Sequence, residues 1–221
     1  MKVKNFTSRA ELGTALAQRL KKTIEGSAGA VMLSGGHAPR PAYQTLGSQP
    51  LRPAAGLQVL YSDERYVPST SEASNYQASS PLLRALSLPE KQVLRVRTEL
   101  PIEEAAADYE RRLRELLAAG TRIPLGLLGM GADGHTASLF SVDDLKRAQD
   151  HLAIAVQRPD GMQAVSVTPD LLSKVEQLLM VVVGQEKRQV LAAFLASDPE
   201  LIAWRAVAGC RDIEVWCESE P

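Results

Sequence analysis

Leu125-Gly126-Leu127-Leu128-Gly129-Met130-Gly131-Ala132-Asp133-Gly134-His135-Thr136-Ala137-Ser138-Leu139-Phe140 is the stretch that decides the fold. With Ile123 and Pro124 ahead of it, the run to Leu128 is apolar on both faces, as a strand buried inside a sheet must be. It ends in glycines and then presents Asp133 and His135 two residues apart, before a segment expected to turn helical near Thr136. This order puts an imidazole at the carboxyl edge of a sheet, where open α/β sheets bind ligands.

The same pattern of strand followed by chemistry recurs upstream. From Glu11 to Glu25, Leu12, Leu16, Leu20 and Ile24 recur every four positions and give an amphipathic helix one apolar face. Gly26 to Gly29 break it, and Ala30-Val31-Met32-Leu33 reads as a short buried strand. Ser34-Gly35-Gly36-His37-Ala38-Pro39-Arg40-Pro41 follows, a glycine pair ahead of a proline-started helix, so backbone N–H groups can converge there on an anion. The strand Leu57 to Tyr61 then runs into Ser62-Asp63-Glu64-Arg65-Tyr66-Val67-Pro68, a charged cluster at a strand's end.

Asn75 leads into a helix carrying Leu82, Leu83 and Leu86, Val93 to Val96 reads as another strand, and Pro101 opens a helix that Gly120 ends. Downstream, strands are expected at Leu152 to Val156, Ala164 to Val167 and Leu178 to Val183, the last followed by Gly184-Gln185-Glu186-Lys187 and a helix through Phe194. Ile213 to Cys217 alternates like a half-exposed edge strand. Strands alternating with helices imply a mostly parallel sheet with helices on both faces.

At 221 residues, without repeats or a long linker, the chain is expected to form one α/β domain over 1–221. A formal net charge of −1 argues against binding nucleic acid or a membrane by bulk attraction, so an anionic ligand must be held by individual cations. No signal-like or membrane-spanning apolar stretch is present, which implies a cytoplasmic location. Cys210 and Cys217 have neither CxxC nor disulfide-framework spacing and read as reduced thiols. His37, His135 and Asp63 show no HExxH or related spacing, so no metal and no cofactor is expected. Oligomeric state is not written in these features.

SGGxxPR at Ser34 to Arg40, SDERYVP at Ser62 to Pro68 with Ser74-Asn75 after it, LLGMGADGHTASLF at Leu127 to Phe140, and GQEK at Gly184 to Lys187 resemble the 6-phosphogluconolactonase family, in order and over nearly the whole chain. The resemblance implies a three-layer, Rossmann-like α/β fold shared with glucosamine-6-phosphate deaminase and ribose-5-phosphate isomerase. It also implies metal-free hydrolysis of a phosphosugar δ-lactone, with His135 as base. Two departures stand out. His37-Ala38 replaces the family's Ser-Thr, which shifts anion binding toward backbone N–H groups. Gln163-Ala164 stands where an Arg is common, with Arg158 nearby as a substitute on which the reading does not rely.

The candidate catalytic residues are therefore His135 and Asp133, the latter read either as orienting the ring or as capping a helix that begins near Thr136. The candidate substrate and phosphate contacts are Gly35, Gly36, Arg40, Asp63, Arg65, Asn75, Gly129, Gly131 and Lys187. Arg65 is favoured because a guanidinium fork matches phosphate oxygens; its bland alternative is an ion pair with a neighbouring acid. Lys187 at a helix start opposes the helix dipole unless an anion is near, and otherwise is a solvated surface lysine. Arg40 can equally face solvent, and Asn75 can equally cap the helix after it. Ser138 lacks a GxSxG elbow and reads as an ordinary helix residue. The rival functions are a deaminase or isomerase, for which DGHIAFNEP is expected in place of DGHTASLF, and a non-catalytic sugar-phosphate sensor.

Overall fold

The structure, a computed structural model, describes residues 1–218; the last three residues of the expected domain lie outside this range. Strand β1 (Lys2–Phe6) precedes helix α1 (Arg9–Gly26), and β2 (Ala30–Leu33) precedes α2 (Arg40–Gly47). Next come β3 (Gln58–Tyr61), β4 (Asp63–Arg65), the short helices α3 (Asn75–Ala78) and α4 (Ser80–Leu86), β5 (Val93–Leu94) and α5 (Ile102–Ala118). Strand β6 (Leu125–Gly129) is followed by α6 (Val142–Arg147), the hairpin β7 (Ala153–Gln157) and β8 (Gln163–Val167), and α7 (Pro169–Leu172). The remaining elements are β9 (Leu178–Val182), α8 (Arg188–Leu195), α9 (Ile202–Val207) and β10 (Ile213–Glu218).

Seven strands form one parallel sheet in the order β1-β10-β9-β6-β2-β3-β5. Its side chains alternate between two cores. Val31, Leu33, Val59, Leu127, Val181 and Trp216 pack with Leu12, Leu16, Leu20 and Ile24 of α1 and with α2 and α4. Ala30, Met32, Leu60, Leu128, Met180 and Val215 pack with α5, α7, α8 and α9 on the opposite face. This is the period of two that a sheet covered on both sides requires. The chain moves from β2 outward to β3 and β5, then returns to β6 on the other side of β2. The order therefore reverses between β2 and β6, leaving a crevice beyond their carboxyl ends. The glycine loop after β2 and the His135 loop after β6 flank it.

Three sequence expectations require correction, and one strand was not expected at all. Lys2–Phe6 is a strand, unannounced because four of its five residues are exposed and give no buried pattern. Its lysines stand on the sheet edge, where charge discourages pairing with other chains. Strand β10 is consequently interior, lying between β1 and β9, not at the edge. The strands read at 152–156 and 164–167 leave the parallel sheet altogether: β7 and β8 form a hairpin and join β4 in a separate antiparallel sheet, ordered β4-β8-β7. Finally, no helix forms at Thr136. Gly134 (φ 82°) and Ala137 (φ 49°) are left-handed, and Thr136 makes isolated bridges to Met130 and Leu139, so the segment folds back on itself. Asp133 therefore caps no helix there, and Ser138 lies in a loop. Among the described residues no helix is long and apolar enough to cross a membrane.

Candidate active site

Beyond β6 the chain makes a tight turn in which the Gly131 N–H donates to the His135 carbonyl (2.9 Å) and the Gly134 N–H to the Gly131 carbonyl (3.1 Å). The Asp133 carboxylate is left beside the imidazole, its Oδ1 2.5 Å from His135 Nδ1 and 3.3 Å from the His135 backbone N–H that donates to it. Burial alone would raise the Asp133 carboxyl, but the hydrogen bonds and charge of His135 outweigh it and hold it below the usual carboxylate range. An ionised Asp133 requires Nδ1 to carry the proton, which leaves the Nε2 lone pair free. The Phe140 ring packs against the imidazole at 4.2 Å between centroids. The His135 side chain remains 23% exposed, open to water yet held on two sides. Gly131 is needed here for space: a Cβ on it would fall 2.2 Å from His135 Nδ1.

The charged triplet of β4 is divided by strand alternation. Glu64 accepts from the N–H groups of Asn75 (2.7 Å) and Tyr76 (2.8 Å) and from the Ser74 hydroxyl (3.0 Å), so it closes the N-terminus of α3; burial pushes its carboxyl above the ordinary range against these bonds. Asp63 is buried, and its two oxygens accept from the Ser62 hydroxyl (2.9 Å) and the Ser138 hydroxyl (2.8 Å). The Ser138 N–H donates in turn to Ser166 Oγ of β8 at 3.1 Å, tying the His135 loop to the second sheet. Asn75 donates to the Asp63 carbonyl (2.9 Å), while its Oδ1 fills the space a Cβ on Gly35 would need. Asn75 thus braces the glycine loop against β4.

The cations lie around this frame. Arg65 donates Nη1 to the Ala73 carbonyl (2.9 Å), Arg40 donates Nη2 to the adjacent Glu72 carbonyl (3.0 Å), and the Nε of each is buried without a partner. Neither forms a salt bridge among the described residues, so the alternative reading of Arg65, an ion pair with a neighbouring acid, is not realised. Lys187, at the start of α8, is half-buried. Burial lowers its ammonium from the usual value, against which the charges of Glu186 and Asp133 act. Gly36 is left-handed (φ 82°) with open space around it, and the N–H groups of Gly35 and Gly36 have no partner among the described residues. The Gly131 N–H is already taken, and the Gly129 carbonyl accepts from the Thr136 hydroxyl at 2.8 Å.

Apart from Lys187, which follows β9, the predicted residues fall into two groups: Asp133, His135 and Gly131 at the end of β6, and Gly35, Asp63, Arg65, Asn75 and Arg40 around β2 and β4. Ser138, Phe140, Ser166 and Arg158, none of them among the predicted site residues, join the two. Only the polarity of Ser138 between Ala137 and Leu139 hinted at that role. An open groove of about 1030 Å³ beside β5 contains none of the predicted residues, and its Arg95 and Arg112 are already paired with Glu99 and Asp108.

Comparison with known proteins converges on one group. The family model described as glucosamine-6-phosphate isomerases/6-phosphogluconolactonase matches residues 7–216. A 6-phosphogluconolactonase of Treponema pallidum is 36% identical over 183 residues, covering 78% of this chain and 76% of its own. The crystal structure of the 6-phosphogluconolactonase from Thermotoga maritima superposes with a TM-score of 0.81 at 29% identity, over 99% of this chain and 98% of that one. A monomeric glucosamine-6-phosphate deaminase shares the fold, with a TM-score of 0.81 at 15% identity over 100% of this chain and 98% of its own.

Proposed function

Because the chain belongs to the glucosamine-6-phosphate isomerase/6-phosphogluconolactonase family, we propose that its single α/β domain opens 6-phospho-D-glucono-1,5-lactone to 6-phospho-D-gluconate, with His135 as the general base. The enzyme's activity is that of a 6-phosphogluconolactonase of the pentose phosphate pathway. The observation that carries the catalytic reading is the 2.5 Å contact between Asp133 and His135 Nδ1, which turns the basic nitrogen outward.

In the proposed cycle Nε2 takes a proton from water as the water oxygen attacks the lactone carbonyl carbon. The tetrahedral oxyanion is stabilised by backbone N–H groups, for which Gly35 and Gly36 are free. Collapse breaks the bond to the ring oxygen, which receives the proton from the imidazolium, and the new carboxylic acid ionises to release one proton. Base catalysis supplies roughly 10² to 10⁴ in rate and an oxyanion donor roughly 10² to 10³, enough for an ester of this reactivity. Arg65 and Lys187 hold the phosphate, with Arg40 flanking; Asp63 and Asn75 act by fixing the strand and loop from which these groups project. The substrate is thus a small phosphosugar, and the site calls on no nucleic acid or membrane.

Proton release from freshly generated 6-phosphogluconolactone, compared with the unphosphorylated lactone, tests the assignment. A marked preference for the phosphorylated compound, lost in turnover but not in binding on His135→Asn, is expected. Unchanged kcat in that variant would end His135's role, and ammonia release from glucosamine-6-phosphate would favour the deaminase reading.

A further inference from the structure

A carboxylate and a guanidinium group pair at the end of the β7–β8 hairpin, in a small sheet that also carries Arg65. Arg158, Pro159, Asp160 and Gly161 form its turn, closed by the Arg158 N–H to the Met162 carbonyl (2.8 Å) and the Gly161 N–H to the Arg158 carbonyl (3.1 Å), with Gly161 left-handed at φ 84°. Across the three strands Arg65, Ala164 and Val156 stand directly opposite one another and so share a face. Arg158, two residues beyond Val156, starts on that face, and the small side chain of Ala164 leaves room for it to fold back. It does so: its side chain is only 11% exposed, Nη1 lies 3.3 Å from Ser138 Oγ, and its guanidinium carbon stands 5.0 Å from the Phe140 ring centroid. Phe140 is the ring that packs on His135.

The other side of this guanidinium is occupied from within the chain. Arg158 Nε and Nη2 donate to Asp160 Oδ2 at 3.1 and 2.8 Å. Asp160 is 42% exposed on the turn, and its carboxyl is held below the usual range first by the Arg158 hydrogen bonds, with the charge of Arg65 contributing as well. One carboxylate thus stands in the field of both arginines. Without it, the little-exposed Arg158 guanidinium would have no anionic partner among the described residues.

Building on the lactonase reading, we propose that Asp160 is a resident counter-ion for the substrate's phosphate, and that Arg158 exchanges its bonds to Asp160 for bonds to that phosphate. Arg158 is then a substrate-binding residue that selects phosphorylated over neutral lactones. The exchange is feasible because the Arg158–Asp160 pair is local and solvent-exposed on the Asp160 side, where such pairs hold weakly, whereas a phosphate dianion offers more charge and the same fork geometry. Asp160 lies in the turn outside both strands, and its Oδ1 bond from the Met162 N–H (3.1 Å) can keep it anchored there when the guanidinium leaves.

Two variants read opposite ways, which separates this role from a merely structural one. Arg158→Gln should raise KM for the phosphorylated lactone by about tenfold or more and reduce the preference for it over the unphosphorylated lactone by a similar factor. Asp160→Asn, which removes the competing carboxylate charge, should tighten binding of inorganic phosphate, measured by calorimetry, by about threefold or more. If Arg158→Gln leaves the preference unaltered, or if Asp160→Asn weakens phosphate binding, the inference fails. Phosphate binding is read without turnover, so a wild-type protein that binds phosphate in this way yet does not open the lactone would overturn the proposed function and not this inference. Should Arg158→Gln not fold, the sign of the Asp160→Asn change still decides.

Discussion

Replacing Gly131 by alanine displaces the proposed base without replacing any ionisable group. The added Cβ would lie 2.2 Å from His135 Nδ1 and 2.3 Å from both His135 Cε1 and Asp133 Oδ1, so imidazole and carboxylate cannot keep their places. Ordinary contacts with carbon need about 3.5 Å, which requires a retreat of about 1 Å. Gly131 is not in the left-handed region, so alanine fits the backbone and the effect falls on the Asp133–His135 pair. A misplacement of about 1 Å costs roughly 10² in rate, or about 2.7 kcal/mol in the barrier. The ring is partly exposed and can move toward solvent, so a shift in Tm of no more than a few degrees is expected. Stopped-flow proton release measures kcat, and Gly26→Ala, where a Cβ meets nothing within 4 Å, serves as control. A Gly131→Ala enzyme with kcat within about threefold of wild type would refute the argument, since the ring's position would not matter to the reaction.

Ser138→Ala removes the 2.8 Å donor to the buried Asp63 carboxylate and is expected to cost about 1–3 kcal/mol in denaturant stability while turnover persists; an acyl adduct on Ser138 in wild-type protein, seen by mass spectrometry, would contradict this. Gly35→Ala should destabilise strongly, because its Cβ would sit 1.7 Å from Asn75 Oδ1, and the penalty should shrink in the Asn75→Ala background; additive effects in the double-mutant cycle would show that the two residues do not share this space. The Glu99 carboxyl is lowered to about 2, chiefly by its hydrogen bond from Arg95. Because the folded-state value is depressed, this stabilisation is present above the unfolded value of about 4.5 and lost as pH falls toward 2. Since the Glu99 carboxylate is exposed to solvent, Glu99→Gln should cost no more than about 1 kcal/mol at neutral pH, the difference from wild type vanishing below pH ~2 in urea titrations.

The parallel sheet and the crevice at its strand ends were legible because their determinants are local. Leu12, Leu16, Leu20 and Ile24 mark one helix face, and Ala30–Leu33 and Leu178–Val182 are too apolar to be anything but buried strands. What escaped depends on pairing, which leaves no local trace. Gln163–Val167 reads like any interior strand, and nothing in it says that its partners are Asp63–Arg65 and a hairpin strand instead of the main sheet. Strand β10 looked like an edge because Glu214 interrupts its apolar run, although β1 covers it. In the site, His135 and Asp133 were recognisable from glycines and spacing. The part played by Ser138 was not, since a residue whose hydroxyl donates to Asp63 and whose N–H donates to Ser166 is specified by partners 75 and 28 positions away.

The antiparallel pairing of β4 with β8 makes three neighbouring charges into three separable instruments. Asp63 and Arg65 look one way and Glu64 the other, solely because each residue's sidedness is inherited from its place in the ladder. Slippage by a single position would aim the Glu64 carboxylate at the opposite face, turn the guanidinium outward and deprive the Asn75 and Tyr76 N–H groups at the start of α3 of their acceptor, all without altering composition. Mutational tolerance here should therefore follow the counting of residues between Tyr61 and Asn75 more strictly than their chemical character: an insertion in that interval is a graver change than most substitutions in it.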